Sequence, residues 1–170
     1  MKAFPVSLLL IALLLGGCGG GSQQTQSSGP ELAEARVKDA VGLDPSHETD
    51  GMSLNVTAEI FANLVRFKPG TFEVVPDIAR SWSSSPDGKH WTFILKPGLK
   101  FSDGTPLDAA AVKFNFDRWR LRTNPYHGTF PYAYYASMFG GLPGVIVGVE
   151  APAPDRVNMT LASPFGPFLR

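Results

Sequence analysis

The chain has 170 residues, enough for one domain with a substantial core, and its 44% hydrophobic and 18% charged content is that of an ordinary globular protein. Basic and acidic residues number 15 each, so the formal net charge is zero. That balance argues against a nucleic-acid binder, which needs excess Lys and Arg to neutralise phosphates, and past the N-terminus no apolar run is long enough to span a bilayer as a helix.

The N-terminus carries Lys2, an apolar run from Val6 to Leu15, and then Gly16-Gly17-Cys18. A positive charge, a short apolar run and a small-residue site together describe a secretory signal over residues 1–17. The run has no polar face, which argues against a buried N-terminal helix. Leu15-Gly16-Gly17-Cys18 is similar to the bacterial lipobox, which implies lipidation of Cys18, the single cysteine of the chain. A catalytic thiolate would need a partner His and an ordered pocket, and neither is expected beside a leader. Residues 19–29 are Gly, Ser, Gln and Thr, a composition that behaves as a flexible tether. Residues 18–30 thus read as tether and residues 31–170 as folded protein.

Val37 and Val41, followed by the Asp44-Pro45 turn, predict a strand over 35–43 and then a loop. Val56, Ile60 and Leu64 recur at helical spacing beside Phe61, which predicts an amphipathic helix from an N-cap at Ser53 to about Val65. Lys68-Pro69-Gly70-Thr71 reads as a turn, and residues 72–75 as a short strand. Ser81-Trp82-Ser83 and residues 90–95 flank Ser85-Pro86-Asp87-Gly88, a hairpin signal that puts Trp91, Phe93 and Leu95 on one face. A second Asp-Gly turn follows at Asp103-Gly104.

Asp108 is placed to cap a helix whose Ala109, Val112, Phe116 and Trp119 share a face. Residues 123–143, rich in aromatics and glycine, read as an ordered loop with a short helix over 132–138. Residues 145–150 and 156–161 read as strands joined around Pro152-Ala153-Pro154-Asp155. No internal repeat is evident.

Residues 79–119 carry an ordered set of blocks: Ala79-Arg80-Ser81-Trp82, Ser85-Pro86-Asp87-Gly88, Trp91-Thr92-Phe93, Lys96-Pro97-Gly98-Leu99-Lys100-Phe101-Ser102-Asp103-Gly104-Thr105-Pro106-Leu107, and Ala110-Ala111-Val112-Lys113-Phe114. This set resembles the family 5 extracellular solute-binding proteins, which serve ABC importers of oligopeptides, dipeptides and nickel. The resemblance extends back through Leu43-Asp44-Pro45 and residues 60–67, and forward through Asp155-Arg156-Val157 and residues 164–169. It departs from the family at Ala111, where an acidic residue is usual, and at Ser102, where His is frequent.

The resemblance implies an α/β fold of the type II periplasmic-binding-protein kind, two-lobed in the family. These residues would supply part of lobe I and its accessory α+β domain: a lobe I strand within 31–52, the accessory domain over 53–162, and a return to lobe I over 163–170. The second lobe is absent, so an N-terminal portion of a longer protein is expected. The expected role is capture of peptides or related solutes outside the membrane and delivery to a permease and its ATPase, by a lipid-anchored monomer facing the periplasm or cell exterior. Nickel complexes, opines, sugars and haem are other cargoes that the resemblance allows.

Most of the signature reads as scaffold, with Trp82, Trp91, Phe93 and Phe101 in a core and the Asp-Gly pairs in turns. The candidate ligand contacts are Met52, Ser53, Leu54 and Asn55, because a helix N-terminus offers free N–H groups and a partial positive charge. A plain cap by Ser53 explains that segment equally well. His47, His90 and His127 are too scattered for a local metal motif, and no Gly-x-Ser-x-Gly elbow or phosphate loop is present. No catalytic residue, metal or cofactor is therefore assigned. A surface signalling-peptide receptor or adhesin on the same fold, a lipid-anchored hydrolase and a non-functional truncated product are the competing readings.

Overall fold

A computed structural model describes residues 37–169, and the signal, tether and Cys18 lie outside the described residues. Two helices, α1 (Gly51–Ile60) and α2 (Ala109–Arg120), a shorter α3 (Ala133–Phe139) and six strands make up the described fold. β1 (Val65–Phe67) and β2 (Val74–Pro76) form a two-stranded ribbon. β3 (Ala79–Ser84), β4 (His90–Leu95), β5 (Ile146–Ala153) and β6 (Arg156–Leu161) form an antiparallel sheet in the order β3-β4-β6-β5. No described helix is long and apolar enough to cross a membrane.

The sheet follows from period-2 patterning. Phe93 and Leu95 of β4 are buried on one face with Trp91 half-buried beside them, and Val157, Met159 and Leu161 of β6 are buried likewise. Register aligns these rows, Trp82 with Phe93 with Val157, and Trp91 with Met159 with Val149. α2 and α3 cover that face, contributing Ala109, Val112 and Tyr135 to the core. Phe168, in a short 3-10 turn, packs 5.2 Å from Trp91 and 6.3 Å from Phe93 between ring centroids. Each buried side chain of this size stabilises the fold by about 1.5–3 kcal/mol, so the sheet and what packs on it hold the apolar core of the described residues.

The hairpin forms where expected: Gly88 N–H donates to the Ser85 carbonyl at 2.9 Å, and Gly88 holds φ +68°, a conformation that favours glycine. The Asp108 carboxylate accepts from the Ala111 amide, so α2 starts as predicted. β5 runs three residues past its predicted end. It tolerates Pro152 because it is an edge strand with a register shift between Glu150 and Ala153.

Four expectations need correction. No strand forms over 37–43: Val41 and Gly42 donate their amides to the Ser53 hydroxyl instead of to a ladder, and Val37, Val41 and Leu43 are exposed. α1 is capped by Asp50, not Ser53, and begins three residues earlier. It ends at Ile60 because the Asn63 and Leu64 carbonyls accept from Ile78 and Ala79 and Val65 pairs with Pro76. Phe101 is 41% exposed rather than in the core, in a turn at Asp103-Gly104 that closes on itself through Phe101 and Thr105.

Candidate functional site

Residues 41–55 have little apolar anchorage, and polar groups hold them in place. Asp44 organises the turn that leads into α1. Its backbone carbonyl accepts from the His47 and Glu48 amides, and its Oδ1 accepts from the Ser46 amide at 3.1 Å and the Ser46 hydroxyl at 2.6 Å. Its Oδ2 accepts from Arg118 Nη1 of α2 at 2.9 Å, across 74 positions of sequence. Burial alone would raise the Asp44 carboxyl. The Arg118 guanidinium and the Ser46 donors outweigh that and hold it below the ordinary carboxylate value.

At the other end of the segment, Asp50 Oδ1 accepts from the Met52 and Ser53 amides at 3.2 and 3.1 Å. The Ser53 side chain and then its amide hold the Asp50 carboxyl low. Ser53 itself is fully buried, and its hydroxyl accepts from Val41 N at 2.9 Å and Gly42 N at 3.3 Å. The start of α1 is therefore tied back onto the chain that precedes the Asp44 turn.

Aromatic packing joins this segment to the loop before α3. The His47 ring stacks on Phe130 at 4.4 Å and meets the edge of Tyr132 at 4.5 Å. His127 contacts the Tyr132 ring at 4.4 Å, and its Nδ1 lies 2.7 Å from the Arg118 carbonyl oxygen. The Arg118 guanidinium carbon sits 5.7 Å from the Tyr132 ring centre. Tyr132 is 1% exposed at φ +45°, a left-handed conformation that costs about 1–3 kcal/mol and is maintained by this surrounding packing. Burial pushes its phenol upward, so it is neutral.

Beside the Asp44–Arg118 pair lies a half-open pocket of about 180 Å³ between Leu43, Pro45, Phe61 and Trp119, rimmed by Asp44, Asn115 and Arg118. It is smaller than the roughly 300–1,000 Å³ of complete small-molecule sites. Among the described residues no group of three His, Cys, Asp or Glu side chains is placed to hold a metal ion.

Of the sequence-derived candidates, Met52 and Leu54 are half-buried, Asn55 is exposed and Ser53 is buried; Cys18 lies outside the described residues. The four are adjacent on the first turns of α1, but the N–H groups of Met52 and Ser53 already bond to Asp50. The sequence reading missed Asp44, His47, Arg118 and Tyr132. Only the Asp44-Pro45 turn and the cluster of aromatics signalled them, because the contacts that unite them are long-range.

The profile described as bacterial extracellular solute-binding proteins, family 5 Middle, matches residues 73–170. The dipeptide-binding protein of Escherichia coli is 36% identical over 137 residues, which are 75% of this chain and 25% of that protein. Heme-binding protein A of Haemophilus influenzae is 29% identical over 96% of this chain and 33% of that protein. Among solved structures, HbpA2 from Haemophilus parasuis superposes with a TM-score of 0.71 at 33% identity, covering 77% of this chain and 27% of that one. The periplasmic binding protein DppA from Helicobacter pylori, in complex with the peptide STSA, superposes at 0.66 with 33% identity and the same coverage. The 170 residues thus span a quarter to a third of the length of these relatives, and their mixed α/β structure corresponds to part of the periplasmic-binding-protein fold. With more than half its length matched by the profile and its described fold superposing on such proteins, the chain belongs to the bacterial extracellular solute-binding proteins of family 5.

Proposed function

We propose that the chain is the N-terminal part of a substrate-binding lipoprotein that captures peptides outside the membrane and passes them to an ABC permease and its ATPase. The observation that carries this reading is the likeness in both sequence and fold to dipeptide- and peptide-binding proteins over nearly the whole described region. Binding, without catalysis, is the role. In the family layout implied by sequence, residues 31–52 and 163–170 belong to lobe I and residues 53–162 to the accessory domain. A two-lobed receptor of this kind closes on its cargo by hinge motion, with binding energy favouring the closed arrangement.

In this reading Met52, Leu54 and Asn55 present the ligand-facing surface at the start of α1, and Ser53 supports it from beneath. The exposed Asn55 amide would then hydrogen-bond the ligand main chain, with Met52 and Leu54 against its apolar parts. Cys18 would carry the lipid that tethers the receptor to the cell membrane, facing the periplasm or exterior as a monomer. Several acyl chains are needed for stable anchoring, since one alone binds only marginally.

Uptake of a labelled dipeptide tests delivery and anchoring together. Cells lacking the protein are expected to lose uptake, the unaltered protein to restore it, and Cys18→Ala to release the protein from the membrane fraction. Uptake unaffected by loss of the protein would count against the transport role.

A further inference from the structure

We propose that Arg118 is a positioning residue: through Asp44, it holds the start of α1 in its ligand-facing arrangement. The consequence for ligand binding rests on the function proposed above, whereas the positioning itself does not.

The inference follows from how differently two parts of the molecule are held. The sheet core is apolar and continuous, from Phe93 and Leu95 through Val157 and Met159 to Ile146 and Val149. Residues 41–50 form no helix or strand, and their apolar side chains Val41 and Leu43 are 72% and 52% exposed. Their fixed points are the Ser53 hydroxyl, the Asp44–Arg118 ion pair and the His47 ring against Phe130 and Tyr132. Net contributions of single hydrogen bonds are small beside the burial of several large side chains. The segment can therefore open locally while the sheet stays folded.

Arg118 holds two of these fixed points. Its Nη1 donates to Asp44, its guanidinium lies over Tyr132, and its carbonyl oxygen faces His127. The side chains of Arg118 and Asp44 are 21% and 30% exposed, so the pair is only partly screened by solvent. The planar guanidinium can serve both Asp44 and the Tyr132 ring, whereas a lysine in its place is a single point charge. The ionisable groups facing Asp44 are Arg118 from α2 and His47 from its own turn, at 3.9 Å from Nε2 to Oδ2; Tyr132 lies next to both.

Hydrogen exchange of the full chain, without ligand, tests this directly. Arg118→Met and Asp44→Asn are each expected to speed exchange of residues 41–55 by about tenfold, the order of one lost charge-assisted bond. The double variant should be no faster than either single one, because both remove the same contact. Exchange in β4 and β6 should be unchanged, and Arg118→Lys should restore part of the protection. In Arg118→Met, the Asp44 side-chain carboxyl followed by NMR should titrate at higher pH than in the unaltered chain. Protection of 41–55 unchanged by Arg118→Met, or lost equally across the sheet, would overturn the positioning role. Normal positioning combined with no dipeptide binding would instead overturn the functional reading and leave this one standing.

Discussion

Arg120 shows how a charged residue at the edge of a helix's apolar face, four positions after Phe116, becomes part of the interior. It is 8% exposed, and its Nε and Nη2 donate to Asp117 Oδ1 at 3.0 and 2.8 Å. Its Nη1 donates to the Val147 carbonyl at 3.1 Å. Val147 is the residue left over where the β5–β6 register shifts between Ile146 and Gly148. Arg120 thus supplies a partner for backbone that the bulge takes out of the ladder. Lys113 also pairs with Asp117, so removing Arg120 leaves that carboxylate partly neutralised. Arg120→Met is expected to destabilise the protein by about 3 kcal/mol, the lower end for breaking a buried pair, as a reduced urea midpoint. A change below about 0.5 kcal/mol, typical of plain surface substitutions, would show that the contact is dispensable. Neighbouring residues alone do not reveal this role, because the bulge that recruits Arg120 belongs to a strand 27 positions away.

At the scale of elements, legibility followed the range of the interactions that decide each one. The β3–β4 hairpin and the start of α2 depend on neighbours a few residues apart, and both formed where the residues indicated. α1 ended early and the strand over 37–43 did not form because distant groups claimed their backbone, β2 in one case and Ser53 in the other. Aspartates recur as the local organisers. The carboxyls of Asp50, Asp87 and Asp103 are each held below their ordinary value, first by the side chains of Ser53, Ser85 and Thr105 and then by backbone amides. Asp44 is held low as well. A folded-state value below the unfolded one means that the unfolded chain binds more protons between the two, so stability rises with pH across that window. The contribution of these groups is fully present above their ordinary value of 3.8 and is lost as pH falls through their lower folded values. Urea midpoints measured across this window should fall steadily with acidity. A flat profile there would mean that the aspartate turns persist in the unfolded chain.

At the scale of the whole molecule, the sequence carried the family, since an ordered series of turns and aromatic blocks survives substitution of the residues between them. The candidate site was less legible. The order of residues picked out the start of α1 but could not reveal that Ser53 faces inward, nor that Asp44, Arg118, His47 and Tyr132 meet beside it. A receptor that closes around cargo needs surfaces from both lobes, and these 170 residues span only a quarter to a third of the relatives' length. Its start of α1 is thus proposed as one wall of a cleft, and the 180 Å³ pocket beside Arg118 as too small to be the whole of it.

Calorimetric titration of a dipeptide such as Met-Leu into the protein as its host produces it tests the central claim most directly. Saturable binding at one site per molecule, weakened by Arg118→Met, is the predicted result. No binding of Met-Leu or of a mixed dipeptide pool by correctly folded protein would contradict the claim that this is a peptide receptor.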